Sequence, residues 1–183
     1  MVGVSAPTKG QDLLVGALAD VRHLAWNCTL AGPPRDPGFV AAVREAVQRH
    51  RLDGRVRLTG PLTGAALDAA YAAADLLVVP SRAETYGMVV TEALARGIPV
   101  LTSDAGGLPA TLGRDPGGRV PGVVVQSGDA AAFAAALRGW LIDSGRRAEL
   151  RRRAHERGPM LHGWEVTARC VATTLTRAAG APA

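Results

Sequence analysis

Lysine is nearly missing from this 183-residue chain: Lys9 is the only one among 21 basic residues. Aromatic residues make up 4% of the sequence, so Val, Leu and Ala must do most of the packing in any core. The two cysteines, Cys28 and Cys170, lie far apart and form no C-x-x-C pair. That argues against a disulfide scaffold and predicts two inert thiols in a reduced, cytoplasmic setting. No run of about 18 apolar residues occurs, so no membrane-spanning helix is predicted. The amino terminus has neither a basic n-region nor a long apolar core, so no signal peptide is expected. His23, His50, His155 and His162 lack metal-ligand spacing, and no metal is expected. Neither G-x-G-x-x-G nor a G-x4-G-K-[ST] loop is present, which counts against a dinucleotide dehydrogenase or a P-loop NTPase.

An apolar content of 48% is ample for one buried core, and the length suits one domain over residues 1–183. Strand-like and helical segments alternate. Strands are expected at Val2–Ser5, Trp26–Ala31, Arg55–Thr59, Leu76–Val79, Ile98–Leu101 and Val123–Val125. Helices are expected at Asp12–Val21, Phe39–His50, Ala65–Ala74, from about Gly87 to Arg96, Ala130–Ile142, Arg146–Arg157 and Trp164–Ala178. Alternation of this kind implies an α/β fold: a doubly wound, Rossmann-like parallel sheet of six strands with helices on both faces. Asp115-Pro-Gly-Gly-Arg119 reads as a mobile loop.

The richest segment runs from Asp75 to Leu101 (DLLVVPSRAETYGMVVTEALARGIPVL). A β-branched strand is stopped by Pro80, a polar loop follows, and a helix opens near Gly87 and stops at Arg96-Gly97. This βαβ unit aims the free N–H groups of a helix N-terminus beyond the strand ends, a place suited to phosphate. Glycine at Gly87 lets a ligand approach the backbone. Glu84 stands at the mouth of that site, and Glu92 lies about 7–8 Å further along the helix. Carboxylates repel phosphate but accept hydrogen bonds from sugar hydroxyls. A phosphate flanked by two hydroxyl-bearing rings describes a nucleotide sugar, with Glu84 facing one ring and Glu92 the other.

The same stretch, PSRAETYGMVVTEALARGIPV, resembles the E-x7-E signature of the retaining glycosyltransferases of family 4, in the C-terminal, donor-binding half of their two-domain GT-B fold. The resemblance runs from Val2 to about Ala178. It implies that Glu84 contacts the transferred hexose, that the backbone of Gly87, Met88, Val89 and Val90 binds sugar and phosphates, and that Glu92 holds the ribose hydroxyls. Lys9-Gly10 matches the second part of a Gly-Arg…Lys-Gly pattern that supplies two cations to the diphosphate. The arginine is replaced here by Val4, and Arg82 is the candidate to compensate. Arg57, Leu58 and Thr59 fall in the segment whose main chain receives the nucleotide base. A glutamate that the family usually carries after Pro109 is Ala110 here. The resemblance further implies a metal-independent reaction with a nucleoside-diphosphate sugar as substrate and no cofactor. It also implies an N-terminal acceptor-binding domain or partner subunit, toward which a C-terminal helix in residues 161–183 would pack.

Asp104 reads best as a cap or turn residue, and the glycines Gly106-Gly107 permit close backbone approach beside the Glu84 loop. The arginine run from Arg146 to Arg157 has Leu150 and Ala154 as an inward stripe and no interleaved aromatics, so a solvated helix face is expected rather than a nucleic-acid surface. The net charge of +5 suits an anionic small ligand and is compatible with peripheral membrane contact. Two other functions fit the same residues: a non-catalytic nucleotide-sugar-binding module, and a nucleotide-sugar epimerase on the same fold.

Overall fold

The computed structural model describes residues 6–161 and 163–179. The expected strand at Val2–Ser5, with Val4, and His162 lie outside the described residues, as do the side chains of Trp164 and Cys170. Five strands are described: β1 (Cys28–Ala31), β2 (Val56–Gly60), β3 (Leu77–Val79), β4 (Val100–Ser103) and β5 (Gly122–Val125). Eight α-helices accompany them: α1 (Gln11–Asp20), α2 (Pro37–Arg49), α3 (Gly64–Ala72), α4 (Met88–Ala95), α5 (Leu108–Leu112), α6 (Ala130–Ile142), α7 (Ser144–Arg157) and α8 (Trp164–Ala179). Among the described residues the strands form two parallel sheets, β1-β2 and β3-β4-β5, rather than a single sheet of six.

Side-chain alternation along the strands divides the core into two layers. Val78 and Leu101 point to one face, where they join Leu14 and Leu18 of α1, Val43 and Val47 of α2, and Phe133 and Leu137 of α6. Leu30 and Val56 of the two-stranded sheet enter the same layer, so both sheets share one core. Leu77, Val79 and Val100 point the other way, onto Tyr71 of α3, Val90 and Leu94 of α4, Leu108 and Leu112 of α5, and Ala154 of α7. Helices therefore cover both faces, as an all-parallel sheet requires.

Local chemistry moves several boundaries from the expected ones. Helix α2 starts at Pro37 because Asp36 caps it, its Oδ1 accepting from Phe39 N at 2.9 Å. Strand β4 starts two residues later than expected. Ile98 N still donates to Ala93 O to close α4, and Pro99 has no N–H, offering only its carbonyl to Leu77 N. The short helix α5 falls in a Gly-Pro stretch that reads as loop. The Asp115–Arg119 segment, expected to be mobile, is a pinned turn. Asp115 is buried, and its carboxylate accepts from Arg119 N at 2.9 Å and pairs with the Arg119 guanidinium at 3.0 Å. The inward stripe of α7 is as expected, with Leu150 and Ala154 buried.

Candidate functional site

The site is assembled where the turn before α1, the loop after β3 and the loop after β4 meet. Pro7–Lys9 form a 3-10 turn, and Gly10 follows in the left-handed conformation (φ 69°), capping the turn and opening α1. A β-carbon on Gly10 would stand 2.1 Å from Pro80 O, so only glycine lets the turn lie against the end of β3. The contact is then sewn shut. Thr8 O accepts from Arg82 N at 2.7 Å, and the Arg82 guanidinium reaches Pro7 O at 2.8 Å. The same guanidinium grips both oxygens of Asp12 at 2.8 Å. Burial raises the Asp12 pKa, but Arg82 overrides it and holds the carboxyl below its ordinary value.

This seam delivers the one lysine to the first of the two glutamates. Lys9 Nζ lies 2.5 Å from Glu84 Oε2, the side chains being 23% and 15% exposed. The Glu84 loop rests on the glycines after β4. A β-carbon on Gly106 would sit 1.9 Å from Glu84 O, and one on Gly107 would sit 2.1 Å from Thr85 O. Gly107 N instead donates to Glu84 O at 3.1 Å. The close approach expected of that glycine pair is therefore present. Asp104 fills the turn role expected of it, accepting from Ser127 N at 2.7 Å.

Gly87 (φ 83°) caps α4, and a β-carbon there would meet Leu108 at 2.6 Å. Val90 N turns back to Gly87 O at 2.8 Å. The N–H groups of Met88 and Val89, at the head of the helix, have no acceptor inside it, and Glu84 O is already taken by Gly107. Tyr86 and Met88 project outward, 55% and 51% exposed. Lys9, Glu84 and the α4 N-terminus thus form one cluster, a cation and a carboxylate beside a row of outward donors.

Further along α4, half-buried Glu92 is held through Oε2 by the hydroxyl of Tyr71, which donates at 2.7 Å. Burial, reinforced by the neighbouring Glu92 carboxylate, pushes the Tyr71 pKa well above its ordinary value, so the hydroxyl remains a donor. Arg57, Leu58 and Thr59 stand apart on the other sheet, in β2. Arg57 is exposed, Leu58 packs toward the core, and Thr59 Oγ1 donates to Gly60 O at 3.1 Å. Arg82, the expected compensating cation, is committed to Asp12.

Sequence reasoning missed Tyr71 and the Asp12–Arg82 pair. The first had a signal: α3 is rich in alanine, Tyr71 is its one buried residue, and a buried phenol needs a hydrogen-bond partner. The second had none, because 70 residues separate the partners. Among the described residues no three His, Cys, Asp or Glu side chains are placed to hold a metal, and no helix is long and apolar enough to cross a membrane.

Known proteins share this architecture. The chain is 38% identical over 174 residues to the D-inositol 3-phosphate glycosyltransferase of Salinispora tropica, covering 91% of this chain and 35% of that protein. The sucrose-phosphate synthase of Thermosynechococcus elongatus superposes with a TM-score of 0.81 at 30% identity, over 99% of this chain and 46% of the other. Anabaena Alr3699/HepE in complex with UDP gives a TM-score of 0.80 at 26% identity, over 96% and 48%. The chain thus spans between about a third and a half of the length of these relatives. Residues 1–158 match the family described as glycosyl transferases group 1. With the parallel α/β fold and the Lys9–Glu84 cluster in place, the chain belongs to that family and carries the C-terminal half of its GT-B architecture.

Proposed function

We propose that this chain is the donor-binding half of a retaining, metal-independent hexosyltransferase of family 4, acting on a nucleoside-diphosphate sugar. The observation that carries the reading is the Lys9–Glu84 pair at 2.5 Å beside the free N–H groups that open α4. A diphosphate placed over that helix end gives Lys9 a doubly charged partner better than a single carboxylate. Lys9 moves to the diphosphate, and Glu84 is released to accept hydrogen bonds from the sugar hydroxyls. Met88 and Val89 supply main-chain donors beside Gly87, while the Val90 N–H expected to join them is taken by Gly87 O. Glu92 accepts from the ribose. The base lies along the main chain at Arg57–Thr59. The UDP held by Anabaena Alr3699/HepE supports this choice of ligand class.

In the reaction the bond from the anomeric carbon to the diphosphate oxygen breaks, and the acceptor oxygen bonds to the same face of that carbon. The acceptor proton passes to the departing phosphate oxygen. Lys9 and the α4 N–H groups carry the charge that develops on the diphosphate, which is the electrostatic part of the catalysis. The acceptor is brought by an N-terminal domain or partner subunit. Helix α8 packs toward that partner, presenting Val171 and Leu175, which are 53% and 64% exposed. The reading includes a cytoplasmic setting with peripheral membrane contact.

Calorimetry tests the binding claim: the chain binds a nucleoside diphosphate weakly, and no heat with any of them sinks the reading. Alone it transfers no sugar, and turnover by the purified chain would overturn the need for a partner. A second reading, a non-catalytic nucleotide-sugar-binding module, is favoured by one observation. Arg82 is tied to Asp12, so it does not replace the arginine that Val4 displaces. Glu84→Ala in a reconstituted two-domain form separates the two: lost transfer with retained binding supports catalysis, and unchanged behaviour supports the module.

A further inference from the structure

We infer that Tyr71 is a positioning residue for ribose recognition, aiming the Glu92 carboxylate through its buried hydroxyl; this rests on Glu92 being the ribose clamp proposed above. A glutamate on a helix face ordinarily samples several rotamers, and fixing one costs conformational entropy at the moment of binding. Here the cost is met before the ligand arrives. Tyr71 OH donates to Oε2 at 2.7 Å, leaving Oε1 and the outer lone pairs for ligand hydroxyls.

The tyrosine is itself immobilised. It is 2% exposed, packed in the layer with Leu77, Val79 and Leu94. Arg96 lies over its ring, with the guanidinium carbon 4.6 Å from the centroid. Arg96 in turn is held by Asp68 at 2.8 Å and by Glu92 O at 3.1 Å. Glu92 lies on α4 one turn before Arg96, which caps that helix, and Asp68 and Tyr71 are one turn apart on α3. Asp68 therefore holds Arg96, Arg96 covers the Tyr71 ring and is tied to the Glu92 main chain, and the fixed Tyr71 hydroxyl meets the Glu92 carboxylate.

The test is calorimetry on the full chain with uridine and guanosine diphosphates, each against its 2′,3′-dideoxy counterpart. Wild type is expected to prefer the ribonucleotide by about tenfold. Tyr71→Phe keeps the ring and is expected to cut that preference by about three- to fivefold. The whole loss should fall on the ribonucleotide, with dideoxy affinity unchanged. In a Glu92→Gln background Tyr71→Phe should add nothing to the ratio.

A Tyr71→Phe protein that weakens both ligands equally, or keeps the wild-type ratio while Glu92→Gln loses it, overturns the positioning role and leaves the clamp intact. Wild type without ribose preference, or without binding, overturns the Glu92 assignment and this inference with it. Fluorine NMR of the chain labelled with 3-fluorotyrosine covers the case where Tyr71→Phe does not fold. The chain has two tyrosines, Tyr71 and Tyr86. The Tyr71 resonance should shift with the ribonucleotide and not with the dideoxy form, and equal shifts would overturn the inference.

Discussion

Two ion-pair regions of this molecule are built from the same charges to opposite ends. Around α7, Arg119 meets Asp115, Glu149 and Glu156, while Arg152 meets Glu149 and Glu156, and Arg153 meets Glu149 again. Each arginine there serves several partners with its rigid fork of donors, and the result locks the turn before β5 against α7. At the strand ends, Lys9 pairs with Glu84 and holds it through a compact charge on a flexible stem. A network that shares its donors does not release one cheaply. A lone pair can change partner. In a chain that otherwise uses arginine, the single lysine stands where the proposed function asks a cation to pass from a carboxylate to a ligand.

The largest expected effect that distinguishes the regions comes from two glycines, both with positive φ. A β-carbon on Gly106 (φ 53°) would collide with Glu84 O at 1.9 Å, whereas one on Gly118 (φ 78°), in the Asp115–Arg119 turn, would meet nothing within 4 Å. Gly118→Ala should cost only backbone strain, about 1 kcal/mol. Gly106→Ala adds a backbone collision and should cost about 3 kcal/mol while lifting the Glu84 loop away from Lys9. Chemical denaturation reads the first quantity and nucleoside-diphosphate calorimetry the second. If both variants lose the same stability and keep the same affinity, the strand-end loop is not tightly constrained by the glycines beneath it.

Next in size is the lysine itself. Lys9→Ala should weaken nucleoside-diphosphate binding by about thirtyfold, the scale of a charge-assisted contact to phosphate. The melting temperature should move less than for Arg119→Ala, because Lys9 loses a single ion pair rather than a shared network. Arg119→Ala should do the reverse, lowering the melting temperature and leaving affinity alone. Lys9→Arg sharpens the contrast: charge is kept, but the fork can bind Glu84 with two bonds, so affinity should fall between wild type and Lys9→Ala. An affinity of Lys9→Arg above wild type would show that release from Glu84 is not limiting.

Much of this arrangement could be read from the residues alone, and the reasons it could are physical. The strand, Pro80, the loop and the glycine-opened helix each carry strong local signals, so the βαβ unit and the approach of Gly106-Gly107 to the Glu84 loop followed from short-range chemistry. What was illegible depends on distant partners. Nothing near Arg82 shows that Asp12 will take its guanidinium. Nothing near Asp115 shows that its carboxylate will be buried under Arg119 and α7, so the Pro-Gly-Gly sequence reads as a loose loop. Tyr71 lay between these cases: its burial was inferable from an alanine-rich helix, its choice of Glu92 was not.

The smallest effect concerns acid, and it breaks the comparison from the network side. Burial raises the pKa of Asp115, but the backbone N–H and guanidinium of Arg119 outweigh it and hold the carboxyl below its ordinary value. Glu149 is held low by hydrogen bonds from Arg152 and Arg153. A carboxyl with a depressed folded-state pKa binds fewer protons folded than unfolded near that pH. Its stabilisation is therefore complete above the unfolded value, near 4, and is lost as pH falls through the folded value. The melting temperature should change little from about pH 7 to pH 5 on this account and decline below about pH 4. Arg119→Ala keeps the backbone N–H of residue 119 on Asp115 but removes the guanidinium's hydrogen bond and charge, so that pKa moves part of the way back toward the ordinary range. The variant should start from a lower melting temperature and decline less steeply in acid. An acid limb as steep as that of wild type would mean that the Arg119 guanidinium adds nothing to the depression set by the backbone N–H, and that its contacts resemble the exchangeable pair at Lys9 more than a lock.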